Sequence, residues 1–83
     1  MNLIVEPAAG LQLHLSRSGH RITAIVSLRG LHLSVTHCEA RDAVANTQGM
    51  PMLRLGDSSF SLPYGLLCEA ADALGLGLDG GRA

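Results

Sequence analysis

Four histidines, His14, His20, His32 and His37, and two cysteines, Cys38 and Cys68, are the side chains of this chain with the most chemistry to offer. Imidazole and thiolate are zinc ligands, and together they make the base and nucleophile of many hydrolytic sites. Two nucleophile–base pairs can be written, Cys38 with His37 and Ser16 with His14, together with one ligand set, His14, His32 and Cys38. Spacing argues against all three. His37 and Cys38 are neighbours, and neighbouring strand residues point to opposite faces. Ser16 and His14 share a face, but residues two apart in a strand are separated by about 6.5–7 Å, too far for direct proton transfer. A zinc site needs at least three converging ligands, and histidines that point in different directions do not supply them. The cysteines allow at most one bridge and lack metal-motif spacing, so both are expected to stay reduced. The residues therefore read as surface histidines and free thiols, with no catalytic residue, metal or cofactor.

The elements that would carry these side chains are more legible. Leu11 to Ser16, Arg21 to Leu28 and Leu31 to Cys38 alternate apolar and polar residues, with Ser18-Gly19 and Arg29-Gly30 between them as turn signals. This predicts a three-strand antiparallel meander. Closing the first hairpin on Ser18-Gly19 sets Leu15 opposite Ile22, Leu13 opposite Ala24 and Leu11 opposite Val26. Closing the second on Arg29-Gly30 sets Leu28 opposite Leu31, Val26 opposite Leu33, Ala24 opposite Val35 and Ile22 opposite His37. All these residues then share one buried face. The other face carries Gln12, His14 and Ser16, then Arg21, Thr23, Ile25, Ser27 and Arg29, then His32, Ser34, Thr36 and Cys38. It is polar yet nearly free of carboxylates.

Leu3 to Val5, stopped by Pro7, reads as a short N-terminal edge strand. Residues 39–45 contain helix formers without alternation and predict a short helix. Met52 to Leu55 and Ser59 to Leu62 predict a hairpin, with Leu55 opposite Phe60 and Leu53 opposite Leu62. Pro63 suits the first turn of a helix over Tyr64 to Leu74, in which Leu66, Leu67, Ala70, Ala71 and Leu74 form an apolar stripe. The fold class is α+β, an antiparallel sheet with a C-terminal helix packed on one face. Residues 1–78 are expected to form a single small domain and 79–83 a loose glycine-rich tail.

Composition narrows the partners. The chain has 83 residues, a net charge of −1 and no Trp, so its core must be thin and aliphatic. Six basic and seven acidic residues are scattered along it, and the basic ones are all Arg. Nucleic acid needs a positive stripe or a set of stacking aromatics, and neither is present. No run approaches membrane-spanning length, and the start does not read as a signal peptide, so a cytoplasmic protein is expected. Arg in place of Lys, with abundant Ala, Gly and Leu, points to a GC-rich bacterial or phage coding sequence. By elimination the expected function is a non-enzymatic protein-binding module that blocks a surface of a larger protein or assembles with itself; small size and the GC-rich origin, not any residue, extend this to an accessory inhibitor of the anti-CRISPR type. A structural or regulatory homodimer is the alternative. The expected partner-binding residues are Arg21, Thr23, Arg29, His32 and Ser34, on the outer face of the meander.

Overall fold

The three alternating segments in the first half of the chain form strands, as expected. In the computed structural model, which describes residues 2–79, β1 (Asn2–Ala8), β2 (Leu11–Ser18), β3 (Arg21–Leu28) and β4 (Leu31–Glu39) form a four-stranded antiparallel sheet in chain order. The β3–β4 loop is Arg29-Gly30 as expected, and both residues have positive φ, 51° and 84°, as a type I′ hairpin turn requires. The β2–β3 loop is instead Gly19-His20, with Gly19 at φ 61°. Glycine at the first loop position fits a type II′ turn.

That choice of loop moves the first hairpin by two residues. Leu15 faces Ala24, Leu13 faces Val26 and Leu11 faces Leu28. A two-residue shift preserves the alternation, so the expected face survives: Leu13, Leu15, Ile22 and Ala24 are buried and Val26 is half-buried. The second hairpin repeats the correction. β6 (Met52–Leu55) and β7 (Ser58–Ser61) turn on Gly56-Asp57, so that Leu53 faces Phe60 and Leu55 faces Ser58.

Between β3 and β4 the expectation fails in a way that does change faces. Leu28–Leu31 and Ser27–His32 pair as expected, but a bulge then inserts Leu33, and Val26 faces Ser34, Ile25 faces Val35, Ala24 faces Thr36, Thr23 faces His37 and Ile22 faces Cys38. One extra residue reverses everything beyond it. Leu33 and Val35, expected in the core, are exposed at 53% and 54%. Ser34, Thr36 and Cys38 lie on the core side of the sheet, and His37 lies on the outer side with Thr23.

The expected helix over 39–45 is also absent. Ala40–Asp42 is a single 3-10 turn, followed by β5 (Ala43–Asn46). About two turns of helix are marginal without packing, whereas in the strand Ala45 pairs with Leu53 and is fully buried. A second sheet results, in the order β7-β6-β5-β8, where β8 (Leu78–Asp79) joins β5 in parallel. Asp79, expected to open the tail, pairs with Asn46; the rest of that segment lies outside the described residues.

The helix α1 (Tyr64–Leu74) forms over the expected span, with Pro63 immediately before it rather than inside its first turn. Its end is a Schellman closure: Gly75 adopts φ 73°, the Leu76 N–H donates to the Ala71 carbonyl at 2.8 Å, and the Gly75 N–H donates to Asp72 at 3.2 Å. Arg17 Nη1 donates to the Leu74 carbonyl at 2.6 Å, placing a cation at the negative end of the helix and tying it to β2. The buried stripe of Leu67, Ala70, Ala71 and Leu74 meets Val5, Leu13, Leu15, Ile22 and Ala24 from the first sheet and Ala45, Leu53 and Leu55 from the second. The protein is α+β, with the helix packed against the sheets and an aliphatic core between them.

Candidate protein-binding surface

The outer face of the first sheet is organised in rows that cross all four strands. One row is Asn2, Ser16, Thr23 and His37; the next is Ile4, His14, Ile25 and Val35. Polar partners within the face are already engaged with one another. Thr23 Oγ1 and His37 Nδ1 are 3.0 Å apart, and His14 Nε2 lies 3.3 Å from Gln12 Oε1. At the bulge, Ser27 is buried at 3% exposure, and its hydroxyl has no hydrogen-bond partner.

This geometry separates the residues that could have done chemistry together. His14 bonds to Gln12 rather than to Ser16. His37 bonds to Thr23 on the outer side, while Cys38 faces Ile22 on the core side, close to Gly56. The set His14, His32 and Cys38 is thus divided between two faces by the bulge. Partial burial, with a further push from the Asp42 carboxylate, raises the Cys38 thiol pKa, which holds it in the poorly nucleophilic protonated form. Among the described residues, no three His, Cys, Asp or Glu side chains gather where they could hold a metal ion.

The five residues expected to bind a partner do not all stay together. Arg21 is exposed and sits between Ser18 and Glu39 in the register. Arg29 is exposed in the β3–β4 turn, where its N–H donates to the Gly10 carbonyl at 2.7 Å and its side chain lies over Gly10. His32 is exposed opposite Ser27, and Thr23 is half-buried against His37. Ser34 is exposed too, but it faces Val26 on the core side, because the bulge reverses β4 beyond Leu33.

Sequence reasoning missed the apolar part of this surface. Ile4, Leu33 and Val35 are exposed at 56%, 53% and 54%; Leu31, exposed at 68%, precedes the bulge and stands opposite Leu28 on the other side of the sheet. The alternation of β4 assigns Leu31, Leu33 and Val35 to a core that the other strands and the helix already fill. A count of core positions against so small a chain was the available signal. β4 is also an edge strand, with β3 as its one neighbour in the sheet. Its free edge presents unpaired backbone N–H and C=O groups beside these apolar side chains.

Comparison with protein-family models, curated proteins and solved structures finds no match for this chain. Among the described residues, no helix is long and apolar enough to cross a membrane.

Proposed function

We propose that this protein is a small non-enzymatic protein-binding module, with the outer face of the first sheet and the free edge of β4 as its contact surface. The observation that carries the reading is the exposure of Leu33 and Val35 on an edge strand, with exposed His32 and Arg29 nearby. Exposed apolar side chains bordered by arginine and uncharged polar groups are the ordinary make-up of an interface centre and its rim. A net charge of −1 favours protein over nucleic acid as the partner. Two free cysteines accord with a reducing cytoplasm. Small size and an arginine-only set of cations support an accessory role in a bacterial or phage system, as an inhibitor of the anti-CRISPR type that covers a surface of a larger protein.

The test is capture from a bacterial lysate by the wild type and by the Arg21→Glu, Arg29→Glu double variant. Both arginines are exposed, so the variant keeps the wild-type melting temperature while losing the captured protein. Equal capture by both would remove the outer face from the account. Loss of folding would make the arginines structural.

A further inference from the structure

Where the β2–β3 turn meets the end of β4, Ser18, His20, Arg21, His37, Cys38 and Glu39 line an open concavity of about 430 Å³. The backbone fixes its outline. Ser18 pairs with Arg21 across the turn, Arg21 pairs with Glu39 across the β3–β4 ladder, and the Ala40 N–H donates to the His20 carbonyl at 2.6 Å, which holds the turn against the chain leaving β4. The charges within it are unevenly matched. Glu39, the one carboxylate of the lining, pairs with Arg41 at 3.3 Å instead of with Arg21, and the Arg21 side chain makes no ion pair or hydrogen bond among the described residues. Other arginines are better provided for. Arg17 is held by the Gly19 and Leu74 carbonyls, Arg29 lies over Gly10, and Arg54 shares its concavity with the Asp42 and Asp57 carboxylates.

We infer that this concavity binds an oxyanion, a carboxylate or a phosphate, on the Arg21 guanidinium, with His37, His20 and Ser18 as neighbouring donors. An arginine fork matches two oxygens of either group and makes charge-assisted hydrogen bonds to them. The imidazoles complement it. His37 Nδ1 lies 3.0 Å from Thr23 Oγ1, and when that hydroxyl donates, the ring proton sits on Nε2, which stays available to a ligand. Ser18 and His20 add a hydroxyl and a second ring N–H from the turn. Nearby carboxylates do not cancel the site. Glu39 is compensated by Arg41, and Asp42, which acts on the Cys38 thiol, lines the adjoining concavity with Arg41 and Arg54. A metal ion would be the competing occupant of His20, His37, Cys38 and Glu39, but among the described residues no three such side chains gather where they could hold one. An oxyanion supplies the ion pair that Arg21 lacks.

Histidine ring C–H shifts, read by NMR on the full chain, test the site. Sodium phosphate and sodium acetate are titrated separately at constant pH and ionic strength, with sodium chloride as the control. Saturable shifts are expected at His20 and His37 with one or both oxyanions, while His14 and His32 stay still; the tighter of the two salts names the preferred oxyanion. Arg21→Gln should keep the wild-type melting temperature and weaken binding about tenfold, the loss of one charge-assisted contact. Arg41→Gln, which leaves Glu39 uncompensated, should weaken it as well. Shifts that rise linearly with salt, that chloride reproduces, or that are equal at all four histidines overturn the proposal, as does either variant binding as tightly as wild type. Lysate capture tests the protein-binding reading separately, so each can fail alone.

Discussion

β2 and β4 flank the same central strand, are both built from alternating Leu, His, Ser and Val or Leu, and end in opposite situations. Leu13 and Leu15 of β2 are exposed at 3% and 1%, under the helix that Arg17 ties down, whereas Leu33 and Val35 of β4 are exposed by half. Composition does not distinguish them; position does. β2 lies between two strands and beneath α1, while β4 has one strand neighbour and a bulge that turns its apolar residues away from the core. Closely similar patterns can thus supply a core in one strand and a surface in its near neighbour. What separates them is whether the remaining elements leave volume to fill.

The largest expected effect breaks the comparison on the β2 side. Leu15→Ala should lower the unfolding free energy by about 2–5 kcal/mol, the range for a buried leucine truncated to leave a cavity. The matching Leu33→Ala on β4 should change it by about 0.5 kcal/mol or less, as exposed substitutions do. Urea denaturation of the two variants, read against wild type with the slope checked for constancy, measures the contrast. Equal losses would mean that β4 belongs to the core. Next in size is Arg17→Ala. It removes a charge-assisted hydrogen bond to the carbonyl of Leu74 and should lower stability by about 1–2 kcal/mol. Amide exchange of the last turn of α1 should accelerate in that variant, and unchanged exchange would count against the tie between β2 and the helix.

How much of this is legible in the sequence depends on what sets each register. The first sheet, the Gly56 hairpin and α1 follow from alternation, turn glycines and the Pro63-to-Gly75 frame. Where the two-residue loop sits one residue from its expected place, later at Gly19-His20 and earlier at Gly56-Asp57, the register moves by two and the faces are preserved. At Leu33 the slip is by a single residue and the faces reverse, taking Ser34 and Cys38 off the outer side. No local signal marks that bulge: the alternation of apolar and polar residues runs through His32-Leu33-Ser34 unbroken, and the slip is settled by what β4 can pack against. The strand at Ala43–Asn46 is a tertiary override of helix propensity, since pairing with β6 buries Ala45 and a two-turn helix would not. The candidate surface inherits the same blind spot. Arginine and histidine on it are visible as polar residues, while its apolar centre reads as core.

Smaller effects sharpen the picture at the bulge and the core side of β4. Ser27→Ala should leave stability unchanged or raise it by up to about 1 kcal/mol, because it deletes a buried hydroxyl that has no partner. A clear loss in thermal or urea melts would show that the hydroxyl has a partner in solution. The smallest effect is chemical. Burial and the Asp42 carboxylate raise the Cys38 thiol pKa, so its alkylation by iodoacetamide should stay slow at neutral pH and accelerate only in the more alkaline range. Mass mapping of the alkylated peptide follows it, and fast reaction at neutral pH would place Cys38 outside the core side.

The exposure of the apolar side of β4 is the claim on which the binding surface depends, and a charge placed there tests it most directly. The measurement is the thermal melt of Val35→Asp beside that of Ile22→Asp, both at high dilution. Ile22 is fully buried and Val35 is 54% exposed, and an unpaired carboxylate is tolerated only where water can reach it. Val35→Asp should melt cooperatively within a few degrees of wild type, and Ile22→Asp should have no folded state. An unfolded Val35→Asp would contradict that exposure, returning β4 to the core and removing the proposed contact surface.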